Sequence, residues 1–378
     1  ALLALCSAAA ATALADGFRI EPYLQHPTEH GMLITWFSED DEPGRLELFG
    51  RGAGRLTWSS DPTYQPLLEY TRAELAQGED GLPLLGSSRN YKHAVRVDGL
   101  EPGTRYYYRV RQGGATAWGR FETAPTREGW RAIRFIALAD SETQPQGRDT
   151  HRAWIPQLAE APGSEGRPDL PLSNAPGEAF AAGYLLTEGE GYRQNLRIVR
   201  ARRPDFIVMP GDIVQGGGYQ PAWDEFFRHN AGEFDAPLSF APILPALGNW
   251  ENFGALNGGY RIEADPDDPT RVKLDPEAPG PGSVNAPFIA RSKYKVYFDQ
   301  PGNGYADEQD NFYRVDYGPL TILTLDSSNG EPDVANADRE NPAFPDSDTQ
   351  TNFSRTQFEA AGGSGLSDFN PGSNQYDW

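Results

Sequence analysis

The sequence predicts two successive domains, an antiparallel β-sandwich over residues 18 to 125 and then an α/β domain built of β-α-β units from residue 131 to the end. Three observations lead to this division. Up to Phe121 the apolar residues fall in short, largely alternating runs separated by turn residues, the pattern of a sandwich. Beyond Ala124-Pro125-Thr126-Arg127 the strands become more continuously apolar and exchange with helical periodicity. The third is Phe206-Ile207-Val208-Met209, opened by Pro204 and closed by Pro210-Gly211, which reads as a buried strand handing Asp212 to a glycine-rich loop.

Bulk properties set the limits. At 378 residues the chain exceeds one typical domain, and 38% hydrophobic residues permit a large core, while 41 Gly and 32 Pro assign much of the chain to loops. A formal charge of -21 argues against general nucleic-acid or anionic-membrane binding and favours cations, although solvation in a salty or extracellular medium accounts more simply for most of the acids. No apolar run reaches the ~18 to 20 residues that span a bilayer, so no transmembrane segment is expected. Residues 1 to 15 read as the apolar core of a secretory signal ending in Ala13-Leu14-Ala15, which predicts a secreted or periplasmic protein. Cys6, the single cysteine, lies inside this segment; Leu5 before it is large for a lipoprotein processing site, so an anchor there is the less favoured alternative.

In chain order, strands are expected at 18–24, 31–37, 45–49, 91–97 and 117–123, with the segment 100–110 continuing the inward face between the last two. Residues 124–127 should serve as a linker. The strand at 133–139 ends at Asp140, and a Gly-, Pro- and Ser-rich surface insertion is expected over 160–180. Tyr192, Leu196 and Val199 have helical spacing, so 191–202 joins two strands as the helix of a β-α-β unit. Pro221 opens the next helix, a short strand at 242–247 ends at Gly248-Asn249-Trp250-Glu251, and 254–292 reads as a long loop. Residues 311–318 and 320–326 form a strand pair, and the tail from Asn329 is polar and poorly patterned.

The segment Leu100-Glu101-Pro102-Gly103-Thr104-Arg105-Tyr106 resembles the tyrosine corner of fibronectin type III-like domains. Asp140, Asp212 and Asn249, each closing a strand, resemble in order and spacing the Asp…Gly-Asp…Gly-Asn-His-Glu signature of calcineurin-like metallophosphoesterases. With the sandwich in front, the chain is similar to the purple acid phosphatase branch of that family. The resemblance implies an α/β metallophosphoesterase domain following a fibronectin III-like one. It also implies two metal ions (Fe, Zn or Mn) and a phosphate-ester substrate, hydrolysed as a phosphomonoester or phosphodiester. Asp140 would bind one metal, Asn249 the other and Asp212 both, with Asp212 and Asn249 the catalytic centre. Taken singly, all three also suit ordinary turns.

Three departures from the family pattern stand out. Gln215 occupies the position of the tyrosinate that supports a ferric ion. Glu142 stands where many members carry a metal-binding His; it is able to hold a metal or a water, and is equally at home as a solvent-facing loop acid. Trp250 replaces the signature His, whose acid-base assistance is worth ~10² to 10⁴-fold. None of His26, His30, His93, His151 and His229 matches a family ligand, and His151 and His229 are expected on helix surfaces. The distal metal-binding histidines of the family lie beyond a helix that Gln375-Tyr376-Asp377-Trp378 resembles the start of, so the sequence reads as part of a longer protein, C-terminally incomplete and inactive as it stands. The competing expectation is a phosphoesterase-like fold that binds without turnover, or a cell-surface adhesion protein.

Overall fold

The computed structural model describes residues 17–50, 54–70, 72–86, 89–129, 131–141, 143–148, 186–214, 216–248, 250–251, 264–265, 268–272, 286–327, 367 and 371–378. The N-terminal half is β-rich. It contains β1 (Ile20–Thr28), β2 (Gly31–Ser38), β3 (Gly44–Gly50), β4 (Gly54–Ser60), β5 (Thr63–Tyr64), helix α1 (Arg72–Glu79), β6 (Tyr91–Val97), β7 (Arg105–Gln112) and β8 (Ala115–Glu122). One sheet has the order β4-β3-β7-β8. Alternation decides which side faces in: Tyr106, Tyr108 and Val110 are buried while Arg105, Tyr107 and Arg111 point outward. The tyrosine corner is present, with the Glu101 backbone N–H donating to Tyr106 Oη at 2.9 Å. Strand β4 is absent from the expected strands although Arg55-Leu56-Thr57-Trp58-Ser59 alternates, because the run is short and mostly exposed; β5, two residues long, and the largely polar α1 set up no alternation.

The second part continues with β9 (Phe135–Ala137), α2 (Glu188–Arg202), β10 (Phe206–Met209), α3 (Gln220–Asn230), β11 (Ile243–Pro245), β12 (Ala264–Asp265), β13 (Asp268–Val272), α4 (Ala286–Tyr297), β14 (Tyr313–Tyr317), β15 (Leu320–Thr324) and α5 (Asn374–Asp377). A capping box fixes the start of α2: Thr187 Oγ1 accepts from the Glu190 N–H at 3.3 Å, and Glu190 Oε2 accepts from the Thr187 N–H at 3.0 Å. Glu188 and Glu190 in its first turn and Arg200 and Arg202 in its last complement the helix dipole. Strands β12 and β13 and helix α4 correct the expectation of one loop over 254–292. Pro287 sits in the first turn of α4, where a missing N–H is harmless, and the apolar spacing that signals the helix emerges only at Tyr294 and Tyr297.

The two parts are not separate sheets. Strands β9, β10 and β11 run parallel, and β11 pairs in parallel with β1 at Gln25 and Ile243, giving one seven-stranded sheet in the order β5-β6-β2-β1-β11-β10-β9. Gln25, 1% exposed, stitches the junction: its Nε2 donates to Thr35 Oγ1 and to the Tyr297 carbonyl, and its Oε1 accepts from the Asp299 N–H. Every polar atom of that buried amide is thus engaged. The expected linker also joins the core, with Ala124 fully buried against Phe206, Leu244 and the β14–β15 hairpin. On the other side of the sheet α3 packs Trp223, Phe226 and Phe227 against Tyr23, Ile243, Tyr297 and Phe298.

His93 is buried between the sheets, stacked on Trp36 with ring centroids 4.9 Å apart, its nitrogens 3.0 Å from Ser38 Oγ and 3.2 Å from the Ser60 carbonyl. Burial pushes its pKa down to about 4, partly opposed by the Ser60 carbonyl. The folded state therefore prefers the neutral ring. That contribution is complete above the unfolded value of about 6.5 and is lost as pH falls towards 4. Urea midpoints at neutral pH and near pH 4 should differ by the equivalent of about 2 to 3 kcal/mol more for the native chain than for His93→Gln.

Candidate metal centre

The three parallel strands β9, β10 and β11 bring their carboxyl ends side by side, the place where open α/β sheets gather ligands. Asp140 follows β9 and Asp212 follows the central β10, and Gly248, Trp250 and Glu251 follow β11. Asp140 and Asp212 share an uncommon backbone, with φ of 51° and 49°. Left-handed non-glycine residues are strained, Asp tolerates the region better than most, and such residues concentrate at functional sites. The adjoining segments run on together: the Asp140 N–H approaches the Gly211 carbonyl at 3.4 Å, Ser141 Oγ donates to the Ile213 carbonyl at 2.8 Å, and Thr143 bridges in parallel to Val214.

Two glycines set how closely the loops after β10 and β11 can approach. A Cβ on Gly211, where φ is 101°, would lie 2.5 Å from Gly248 Cα, and one on Gly248 would lie 2.3 Å from the Asp212 nitrogen. Only glycine permits that backbone contact. Across it the Trp250 N–H donates to Asp212 Oδ1 at 3.1 Å, which fixes the carboxylate's orientation.

The residue that ties this together is Glu251, which sequence reasoning left out of the site. Its side chain is fully buried and accepts four backbone hydrogen bonds. Oε2 takes the N–H groups of Asp212 and Gly248, both at 2.9 Å, and Oε1 takes those of Ile213 at 2.8 Å and Val214 at 3.4 Å. Burial, with the Asp212 charge beside it, pushes Glu251 up to about 7, while the N–H donors pull the other way. The available signal was the final Glu of the Gly-Asn-x-Glu run.

Asn249, Glu142, Gln215 and His151 lie outside the described residues. Trp250 is 7% exposed, and its carbonyl accepts from the Gly217 N–H. His229 is not on the helix surface as expected but 1% exposed, 2.8 Å from Glu225 Oε1 and packed against Tyr192 and Phe234. The reason is that α3 is embedded nearly all round, so its polar face also meets protein. With Ser141, Thr143 and Glu188, His229 lines a cavity of about 30 Å³, room for one water.

As donors, Asp140 and Asp212 fit a hard or borderline cation, which carboxylate oxygens suit. Among the described residues no group of three or more His, Cys, Asp or Glu side chains gathers as a ligand set.

Comparison with known proteins bears on both halves. A profile described as "Purple acid Phosphatase, N-terminal domain" matches residues 18–123, and one described as "Calcineurin-like phosphoesterase" matches residues 149–350, more than half of the chain. Among solved structures, PhoD is 10% identical with a TM-score of 0.45, covering 83% of this chain and 52% of PhoD. The chain therefore spans about half the length of that protein. A redesigned β-sandwich protein (16% identity, 28% of this chain, 90% of that one) and the sensor domain of the anti-sigma factor RsgI4 of Pseudobacteroides cellulosolvens (10%, 28% and 96%) each give a TM-score of 0.17. These low scores carry no argument about fold or function. No match was found among curated proteins. With a β-rich domain of the purple acid phosphatase type in front and the phosphoesterase profile over most of the remaining residues, the chain belongs to the calcineurin-like phosphoesterase family.

Proposed function

We propose that this chain carries part of a metal-dependent hydrolase of phosphate esters, with Asp140, Asp212, Asn249 and Glu142 as the residues that would hold two metal ions. The observation that carries the reading is the pair of left-handed aspartates at adjacent strand ends, with Asp212 on the middle strand between the loops that follow β9 and β11. That central position is the one suited to a carboxylate shared between two cations. When bound, such ions polarise a phosphoryl oxygen and lower the pKa of a coordinated water. The chain's own contribution is to hold carboxylates in place: Glu251 and the two close glycines set the loops, and the Trp250 N–H orients Asp212.

Trp250 has no acidic proton to offer a leaving group. Substrates whose leaving group departs unaided, such as aryl phosphates, should therefore be turned over faster than alkyl ones. The metals are Fe, Zn or Mn, and a secreted or periplasmic setting is in keeping with the leader-like start. Among the described residues no helix is long and apolar enough to cross a membrane.

The test is hydrolysis of p-nitrophenyl phosphate by full-length protein supplied with each metal. Asp212→Asn keeps the shape and the tolerance of the left-handed backbone while removing the charge. Its activity should fall by more than about 100-fold, since even residues that merely hold a ligand are worth about 10- to 100-fold. Bound metal should fall with it. Undiminished turnover in this variant would overturn the assignment, and stoichiometric metal without turnover in the native protein would favour the binding-only alternative.

A further inference from the structure

The outer face of the sheet β4-β3-β7-β8 does not share the charge of the rest of the molecule. Six of the chain's 33 basic residues, Arg45, Arg55, Arg105, Arg109, Arg111 and Arg120, project from it, against only Glu47 and Glu122 on the same face of these strands. Six arginines against two glutamates leave +4 on this face in a chain of net -21. An overall charge is an average, and a ligand within a Debye length of about 10 Å responds to the local field.

Strand register interleaves these cations with aromatic rings. Arg55, Phe49, Tyr107 and Arg120 lie in one row across the four strands, and Thr57, Glu47, Arg109 and Trp118 in the next. Trp118 is 60% exposed and Tyr107 50%. The Arg109 guanidinium lies 5.0 Å from the Trp118 ring and 5.8 Å from Phe49, and those two rings are stacked. Beneath them Glu47, fully buried, holds Arg45, Arg55 and Arg109 in place. The arrangement is preorganised, and it offers ring faces as well as charge.

We infer that this sheet face is a docking surface for single-stranded nucleic acid. Guanidinium forks match phosphate oxygens, and exposed rings beside them stack bases of any sequence. An acidic polysaccharide would meet the same charge but lay saturated C–H faces rather than π-faces on the rings, so heparin serves as the comparison in the test. A membrane would need a continuous apolar face to insert, whereas the exposed rings here are interleaved with arginines. The inference is independent of the proposed hydrolysis, and it amends the expectation drawn from net charge, which speaks for the surface as a whole.

The test is fluorescence anisotropy of a labelled oligothymidylate with the full chain in EDTA, across about 50 to 200 mM salt. With about four net phosphate contacts the log-log salt slope should be near -3, and Arg111→Ala with Arg120→Ala should make it shallower by about 1.4. Trp118→Ala should weaken binding about 10-fold, the middle of the range for loss of one stacked base. These positions are exposed, and an unchanged circular dichroism spectrum and urea midpoint would show that the variants fold. The inference is overturned if these variants bind like the native chain. It is equally overturned if an abasic strand of the same length, heparin or anionic vesicles bind as tightly as the oligothymidylate.

Discussion

Asp224→Ala should destabilise the protein by about 3 to 5 kcal/mol, because it takes from a buried arginine its closer counter-charge and leaves an ion pair with the half-exposed Glu39 at 3.9 Å. Asp224 sits on α3, and both its oxygens accept from Arg19 Nη2, at 3.0 and 3.1 Å, on a guanidinium whose side chain is fully buried just ahead of β1. Tyr70 and Gln220 also donate to it. Burial opposes the charge on Arg19, but Asp224 together with Tyr70 and Tyr297 outweighs it, so its pKa is raised. The network extends to Lys293 on α4, which donates to Gln220 Oε1 at 3.1 Å, and to Glu74 on α1, which accepts from the Gln220 N–H at 2.7 Å. Two cations and two anions from four separate elements thus lie together out of water. Denaturant midpoints should show the loss for Asp224→Ala, whereas Arg19→Met combined with Asp224→Leu should recover most of it, since an apolar replacement of a whole buried pair is often neutral. An equal loss in the double variant would mean that packing, not charge, makes the contribution.

Glu251→Ala should be as damaging and should also reach activity. It removes the acceptor of four N–H groups, those of Ile213 and Val214 buried and those of Asp212 and Gly248 half-buried; at about 1 to 3 kcal/mol for each buried one left unpaired, a net loss of about 3 to 5 kcal/mol is expected. Glu251→Gln keeps one oxygen but turns an NH₂ group towards N–H donors, so it should fall between native and Ala. Where the variants remain folded, phosphatase turnover should drop about 100-fold, the scale of a misplacement of about 1 Å. Denaturation curves and turnover together check the idea: a variant that loses stability yet keeps full turnover would show that Glu251 supports the fold without positioning Asp212.

The backbone pattern was legible wherever a face is buried on one side. The alternation of β7, the tyrosine corner and the strand-Pro-Gly-Asp run of β10 each state their structure locally. Asp140 and Asp212 were legible for the same reason, as polar residues closing apolar runs. Glu251 was not, because a carboxylate that spends itself on backbone N–H groups looks in sequence like any surface acid. His229 misled because a helix buried all round has no polar side to assign it to. The pairing of β1 with β11 involves residues more than two hundred positions apart and leaves no local signature at all.

That pairing bears on how the molecule can be divided. The change of pattern near residue 125 looks like a place to cut, but the sheet runs through it. A sandwich released there would expose the β1 edge that β11 covers and leave Gln25 and Tyr23 without the Tyr297 carbonyl they both donate to. An uncovered, largely apolar edge strand is a template for association with other chains. The boundary between the two patterns is therefore one of composition, and the seven-stranded sheet should behave as one unit under limited proteolysis rather than part at residue 125.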